Sequence, residues 1–308
     1  MPGTEECVTE RITIVEVGPR DGLQNEPGVV PPAVKVELIE RLVAAGLSAL
    51  EIASFVRPDR IPQLADGDEV AAALDLPAHV RAIALAPNAA GLDRAVRAGV
   101  GEVAVFVAAS DQFNLRNVNR TTDAAIEMFR PVVDGAQAAG VRVRGYVSTV
   151  LGCPYQGHVP LDDVCRVAEA LVELGCGEIS LGDTIGIGTP FEVRRLVRRV
   201  ADVVPVERLA AHMHDTYGMG LANSLAAIDE GVRTVDASVG GLGGCPYAGP
   251  GARGNLATED LVYALRGSGF DTGVDLDALV DTSWWLAGQL GRDPYARVAT
   301  ALGRPADS

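Results

Sequence analysis

Basic residues are scarce in this chain: 26 lysines and arginines stand against 41 aspartates and glutamates, and the formal net charge is −15. Nucleic acids and anionic membrane surfaces bind basic protein faces, so this charge balance argues against both as partners. Cysteine is also scarce, with five in 308 residues and no C-x-x-C spacing. This usage indicates a reducing compartment rather than a disulfide framework or a zinc ribbon.

Long apolar runs are missing as well. No stretch of 18 or more apolar residues occurs, so we expect no transmembrane helix. The acidic first six residues lack the apolar segment of a secretory signal, and we therefore expect a cytoplasmic protein. What the chain does have is 48% hydrophobic and 22% charged residues, the composition of a globular protein with a large core.

Short runs rich in Val, Ile and Leu alternate with longer amphipathic stretches along the chain. The short runs predict eight strands, at residues 12–17, 48–54, 79–86, 101–108, 141–148, 177–182, 208–213 and 234–239. Helical spacing of apolar residues predicts helices between them, for example at 32–45, 162–174 and 190–203. Thr189 and Pro190 have the residue types of an N-cap and a first helical position for the last of these.

Eight strand-plus-helix units without a break in composition predict a single (β/α)8 TIM barrel, so that residues 1–308 form one catalytic domain. Residues 259–303 are predicted to be a helical extension packed on the barrel, with Trp284 and Trp285 in core packing. A doubly wound sheet is the alternative. It is disfavoured because polar residues follow five different predicted strands rather than one switch point.

Two histidines on the seventh predicted strand share one face. His212 and His214 are two residues apart, so alternation along a strand directs both imidazoles the same way. Asp21 follows the first predicted strand, and the carboxyl ends of all barrel strands meet at one rim. A carboxylate with two imidazoles favours an octahedral Mg²⁺ or Mn²⁺ site, to which Asn255 can add a carbonyl oxygen. The alternative for Asp21 is a turn aspartate before Gly22.

Charged residues follow other strands too. Arg20 cannot lose its proton in a protein, so it either neutralises charge that develops on a substrate oxygen or forms a salt bridge to Glu51, which ends the second strand. Both roles can hold at once. Asp183 ends the sixth predicted strand in a turn, where a functional role and a capping role fit the sequence equally well.

Residues 239–255 contain seven glycines, a composition that suits a loop closing over a substrate. Cys245 in this loop is a candidate proton donor, because the pKa of a thiol lies near neutrality. The alternative is a phosphate-binding loop with an incidental cysteine. The string Gly-Cys-Pro-Tyr recurs at 152–155, so the tetrapeptide alone is not specific.

Together these motifs resemble 3-hydroxy-3-methylglutaryl-CoA lyase, a branch of the metallolyase barrels that share an Arg-Asp pair after the first strand. The likeness runs from Glu16 to the C-terminal helices, and residues 238–247 are its most specific part. The other segments that carry it are 53–56, 62–66, 144–147, 150–155 and 255–260.

The resemblance implies retro-Claisen cleavage of an acyl-CoA to acetyl-CoA and acetoacetate, aided by Mg²⁺ or Mn²⁺, in a homodimer. Its implied metal ligands are Asp21, His212, His214 and Asn255. Its implied catalytic residues are Arg20, Cys245, Asp21, His212, Glu51 and Asp183. The candidate acyl-CoA contacts are Gln24, Asn25 and Ser54, and those to the CoA phosphates are Arg57, Arg60 and Arg116. In this scheme Asp21 or His212 removes the hydroxyl proton, Arg20 stabilises the enolate and Cys245 protonates carbon.

Three features depart from the family's usual pattern. The stretch from Cys245 to Asn255 is one residue longer, Pro27 stands where members commonly have a basic residue, and Asp111 replaces the usual glutamate. All three concern substrate contacts, so we expect them to affect the choice of acyl group more than the type of reaction.

Three other functions are compatible with parts of this pattern. A Claisen-type condensing synthase shares the Arg-Asp and His-x-His elements, but the sequence His-Asp-Thr at 214–216 and the Cys245 loop favour cleavage. A lyase for a longer branched glutaryl-CoA is closer to the predicted function, because it would catalyse the same type of reaction. The third is a non-catalytic metal-binding barrel, which the full set of chemical groups argues against.

Overall fold

A closed barrel of eight parallel strands forms the centre of the computed structural model, which describes residues 10–57, 59–244 and 253–303. The strands are β1 Thr13–Glu16, β2 Ala49–Ser54, β3 Arg81–Leu85, β4 Glu102–Ala108, β5 Arg142–Ser148, β6 Glu178–Asp183, β7 Leu209–Met213 and β8 Thr234–Ala237. β1 pairs with β2 and, through Thr13 opposite Thr234, with β8, which closes the barrel. The predicted fold class is confirmed, and the strand bounds lie within two residues of those predicted.

Helices surround the barrel and follow its strands. They are α1 Pro32–Ala44, α2 Gly67–Ala73, α3 Ala89–Arg97, α4 Asp111–Asn117, α5 Thr122–Ala138, α6 Leu161–Leu174, α7 Pro190–Ala201, α8 Gly220–Asp229, α9 Thr258–Ala264, α10 Leu276–Leu290 and α11 Arg297–Leu302. α7 begins as predicted, with Thr189 and Glu192 forming a capping box around Pro190. Within the described ranges, none of the helices combines the length and the apolar character that crossing a membrane requires.

Two separate apolar clusters hold the layers together. The larger one fills the space between strands and helices, where Leu38, Leu42 and Phe129 are fully buried. The smaller lies among side chains such as Val15, Ile83 and Tyr146 inside the barrel. Alternation along each strand produces this division, because neighbouring residues point to opposite faces of the sheet.

The helices after β8 pack against the rest of the molecule. Trp284 of α10 donates from its indole nitrogen to the carbonyl of Ala299 at 3.1 Å. Trp285 lies under the guanidinium of Arg41 on α1, 4.6 Å from carbon to ring centroid. Both indoles are half-buried against the main apolar cluster, as the sequence predicted.

Candidate active site

The chain leaves β1 through one π-helical turn, Gly18–Gly22, which carries Arg20 and Asp21. Turns of this wide geometry are rare and concentrate at functional sites. The carboxylate of Glu16 supports the turn by accepting the Gly18 amide at 2.8 Å. A Cβ atom at Gly18 would lie 2.6 Å from that carboxylate, so the close approach requires glycine.

Asp21 meets the two histidines at the carboxyl end of the barrel. The Nε2 atoms of His212 and His214 are 3.1 Å apart. One carboxylate oxygen of Asp21 and one nitrogen of each imidazole all lie within 4.8 Å of one another. Both histidines are buried, at 9% and 7% exposure, so water competes little for their nitrogens. This mixed oxygen and nitrogen donor set fits a divalent cation.

The charge states of these groups suit metal binding. Burial raises the pKa of Asp21, but Arg20 and the histidines outweigh it and lower that pKa to about 2. Burial and the neighbouring His212 lower the pKa of His214 to about 4. Burial also lowers the pKa of His212, yet its bond to Asp236 and that residue's charge outweigh the effect and raise it. At neutral pH Asp21 is therefore ionised and His214 neutral, as ligands must be.

Asn255 lies in the same cluster. Its backbone pairs with His214 in an isolated bridge, and its side-chain amide donates to Asp21 Oδ2 at 2.9 Å and to the Leu242 carbonyl at 3.2 Å. The amide nitrogen therefore faces Asp21 in this structure. A half-turn about the last side-chain bond brings the amide oxygen, the atom that can bind a metal, to the same place.

Arg20 is held from two sides. Its Nε donates to Glu51 Oε2 at 2.7 Å, and its Nη1 donates to Asp21 Oδ1 at 2.7 Å. The ion pair with Glu51 that the sequence predicted is thus formed. Burial lowers the pKa of Arg20, but the two carboxylates outweigh it and raise that pKa well above its usual range. Arg20 is a fixed, buried cation beside the candidate metal ligands.

These groups line a cavity of about 260 Å³. The polar residues that line it include Arg20, Asp21, Gln24, Asn25, Asn117, Ser148, Thr184, His212 and His214. The apolar residues that line it include Val56, Ile61, Leu85, Phe106 and Phe113. Gln24 and Asn25, two of the three predicted acyl-CoA contacts, therefore border the cavity.

Several other predicted residues lie away from the cavity walls formed by the described residues. Ser54 is fully buried behind them. Asp183 accepts the Gly188 amide at 2.8 Å and the Ile187 amide at 3.3 Å, and burial raises its pKa to about 6. The structure thus gives Asp183 the capping contacts that were one of its two predicted roles.

The arginines proposed for the CoA phosphates follow β2 and β4, at the same end of the barrel. Arg57 pairs with Asp59 in the solvent-exposed loop after β2, where Arg60 also lies exposed. Arg116 of α4 stacks on Tyr155, with 4.0 Å from its guanidinium carbon to the ring centroid. Their placement near the rim is compatible with contacts to a long anionic ligand.

Cys245 lies outside the described residues, and so does most of the stretch with the extra residue. The described flanks of this loop pair through Gly244 and Arg253, and Gly244 lines the cavity. Sequence reasoning missed Asp236, a buried carboxylate that contacts His212 Nδ1 at 3.0 Å. A lone charged residue inside the short strand β8, Thr-Val-Asp-Ala, was the signal that could have found it.

Two buried glutamates hold the start of the glycine-rich segment. Glu16 accepts the Val239 amide at 2.9 Å, and Glu259 accepts the Gly240 amide at 2.8 and 3.0 Å through its two oxygens. Both side chains are completely buried. Burial raises the pKa of Glu16 to about 7 and that of Glu259 to about 8.

Replacing Glu259 with glutamine should change how stability depends on pH. Because the pKa of Glu259 rises from 4.5 to about 8 on folding, the folded state keeps a proton that the unfolded state loses. Its contribution to the free energy of unfolding is therefore full below pH 4.5 and is lost as pH rises towards 8. Glutamine cannot ionise, so it does not lose this contribution. Between pH 5 and pH 8.5, the free energy of unfolding of Glu259→Gln should therefore rise by roughly 2 to 4 kcal/mol relative to that of wild type.

Urea unfolding at both pH values measures this gain. Glu127→Gln is the matched control, because Glu127 is exposed on α5 and pairs with Arg130 on the surface. The control should shift stability little and equally at both pH values. A difference between Glu259→Gln and wild type that stayed constant with pH would contradict the prediction.

Residues 11–285 match the sequence model of the HMGL-like family. The mitochondrial hydroxymethylglutaryl-CoA lyase of Gallus gallus is 50% identical over 295 residues, which cover 96% of this chain and 99% of that enzyme. The 3-hydroxy-3-isohexenylglutaryl-CoA/hydroxy-methylglutaryl-CoA lyase of Pseudomonas aeruginosa is 50% identical over 293 residues, 95% of this chain and 97% of the relative.

A solved structure of an HMG-CoA lyase from Acinetobacter baumannii, in complex with coenzyme A and 3-methylmalate, is also similar. It matches with a TM-score of 0.90 at 40% identity and covers 97% of both chains. The resemblance inferred from the sequence motifs is thereby confirmed, and the chain belongs to the HMGL-like family.

Proposed function

We propose that this protein is a carbon–carbon lyase that cleaves 3-hydroxy-3-methylglutaryl-CoA to acetyl-CoA and acetoacetate with a divalent metal, Mg²⁺ or Mn²⁺. The observation that carries the proposal is the convergence of Asp21, His212 and His214 within 4.8 Å, with Arg20 beside them in one cavity. Lyases named for this substrate are half identical to the chain over nearly its whole length.

The metal would be held by Asp21, His212 and His214, with the amide oxygen of Asn255 as a proposed fourth ligand. Bound there, a divalent cation would acidify the tertiary hydroxyl of the substrate and polarise its oxygens. The facing Nε2 atoms of the histidines, 3.1 Å apart, support this assignment, because two such lone pairs need a shared proton or a cation between them.

The protein's own groups handle the proton and the charge. Of the two bases that the sequence suggested, Asp21 takes the hydroxyl proton, since its carboxylate lines the cavity beside the proposed substrate position. His212 has no free lone pair for this step, because Nδ1 is bonded to Asp236 and Nε2 would bind the metal. The C2–C3 bond then breaks, C3 becomes the ketone of acetoacetate, and the electron pair passes to an acetyl-CoA enolate. Arg20, fixed by Glu51, faces the cavity as a permanent cation that can stabilise the enolate oxygen. Cys245 is the proposed donor of the proton that C2 receives.

A lyase for a longer branched 3-hydroxyglutaryl-CoA is the second candidate. It is favoured by the apolar residues among those that line the cavity, which include Phe106 and Phe113, because a longer apolar branch needs such side chains to contact. One of the similar enzymes is named for an isohexenyl substrate as well as for the methyl one.

Product analysis on the metal-stripped protein tests both candidates. We expect acetyl-CoA and acetoacetate from 3-hydroxy-3-methylglutaryl-CoA only after Mg²⁺ or Mn²⁺ is added. A kcat/KM for the isohexenyl analogue well above that for the methyl compound would favour the second candidate. Release of free thiol from acetyl-CoA plus 2-oxo acids would indicate a synthase, and turnover of none of these substrates would end the proposal.

A further inference from the structure

A chain of charged side chains runs through the barrel to the candidate metal site. Arg144 of β5 donates from Nε to Glu178 at 2.6 Å and from Nη2 to Asp236 Oδ1 at 2.6 Å. Its Nη1 reaches Asp236 Oδ2 at 3.1 Å. The same Oδ2 contacts His212 Nδ1 at 3.0 Å. Glu178 begins β6, so the chain extends from the amino end of the barrel to the predicted metal ligands at its other end.

This chain is costly to bury. The side chains of Arg144 and Asp236 are both at 0% exposure, and removing such charges from water is strongly unfavourable. Apolar residues of similar volume usually fill barrel interiors and would avoid that cost. The need for a well-packed core therefore does not explain why these residues are charged. Their contact with His212 offers an explanation, which is that they act on this histidine.

In this arrangement the side chain of Asp236 can only accept hydrogen bonds. Arg144 engages both of its oxygens, and Ser180 donates its hydroxyl to Oδ2 at 2.9 Å. A carboxylate paired in this way with an arginine is ionised, so it has no proton to offer. The bond to His212 must then be donated by the imidazole Nδ1, so in the neutral ring the lone pair stays on Nε2. Nε2 is the atom that faces His214 at 3.1 Å.

We infer that Asp236, held by Arg144, is a positioning residue that keeps His212 in the Nδ1–H form with its Nε2 lone pair directed at the metal site. The role of this tautomer in metal binding rests on the proposed function. The tautomer itself does not, because it can be measured without metal or substrate. Histidines that bind metals commonly need such a partner for the second ring nitrogen.

Asp236→Asn is the informative variant. The short bond from Arg144 Nη2 to Oδ1 retains the amide oxygen at that position, so the amide nitrogen takes the place of Oδ2. The Ser180 hydroxyl can rotate to accept from this nitrogen, and only the longer bond from Arg144 Nη1, at 3.1 Å, is lost. The amide nitrogen also donates towards His212 Nδ1, which must then accept and move its proton to Nε2. We expect the tautomer to reverse and the affinity for Mn²⁺ to fall about 10- to 100-fold.

Two-bond ¹H–¹⁵N correlation spectra of the metal-free, ¹⁵N-histidine-labelled protein report the tautomer when they are recorded above the raised pKa of His212, where its ring is neutral. The variant His212→Gln identifies the signal. Manganese titration followed by electron paramagnetic resonance reports the affinity. Glu178→Gln is the matched control, because it removes the negative charge beside Arg144 Nε and leaves the Asp236–His212 bond in place. It should keep the wild-type tautomer and nearly wild-type Mn²⁺ affinity.

A wild-type His212 found in the Nε2–H form would overturn the inference whether or not any variant folds. So would a folded Asp236→Asn protein with unchanged tautomer and Mn²⁺ affinity. If wild-type His212 has the expected tautomer but the protein cleaves none of the proposed substrates, only the proposed function is contradicted. If the wild-type protein cleaves a proposed substrate but His212 has the other tautomer, only this inference is contradicted.

Discussion

Arg20→Lys is expected to lower kcat for 3-hydroxy-3-methylglutaryl-CoA about 10³-fold, with the fold and the metal affinity retained. Arg20 binds Glu51 through Nε and Asp21 through Nη1, and each of its terminal nitrogens still has a further N–H for a developing oxyanion. Lysine keeps the charge but is a single point donor, which the buried carboxylates would draw away from the cavity. The loss should therefore appear in kcat rather than in KM.

Steady-state kinetics on the metal-loaded enzyme measure this effect. Arg130→Lys, on the exposed face of α5, is the control and should behave as wild type. Arg20→Met separates charge from geometry, because it leaves the fully buried Glu51 without its cation and should also destabilise the fold. If Arg20→Lys retained more than a tenth of wild-type kcat, Arg20 would not be the group that stabilises the enolate.

Much of the site follows from two rules alone, side-chain alternation along a strand and the position of strand ends in a parallel barrel. Asp21 lies in the turn that follows the first strand at the rim, and His212 and His214 share a face because their positions differ by two. Once the eight apolar runs indicate a parallel barrel, these residues have to meet at the same end. The structure places them together although 191 positions separate Asp21 from His212. The pairing of Arg20 with Glu51 was predictable for the same reason.

What could not be predicted depends on side-chain direction. Asp183 also ends a strand, but its carboxylate bonds the amides of the following turn instead of entering the cavity. Ser54 ends β2 and is buried behind the cavity wall. Asp236 lies in register with His212 on the neighbouring strand, inside the barrel, where the sequence pattern leads one to expect apolar filling. The position of a residue in a strand determines at which end of the barrel and on which face of the sheet it lies. Rotamers and local hydrogen bonds determine what its side chain contacts.

The second large effect concerns the metal. His214→Gln should weaken Mn²⁺ binding by about two orders of magnitude or more, since it removes one of three buried donors that lie within 4.8 Å of one another. Because burial and His212 lower the pKa of His214 to about 4, this ligand is free of protons over the physiological range. His212 has a raised pKa, so protons compete for it first as pH falls.

Two readouts distinguish loss of a ligand from general damage. Activity of His214→Gln should recover in part at high Mn²⁺, whereas a misfolded protein would not respond to added metal. His158→Gln, at an exposed histidine, should leave both affinity and activity unchanged. Wild-type Mn²⁺ affinity should also fall as pH drops, since protonated His212 cannot bind a cation. Unaltered Mn²⁺ affinity in His214→Gln would mean that the facing imidazoles have another purpose, and the proposed metal chemistry would lose its structural basis.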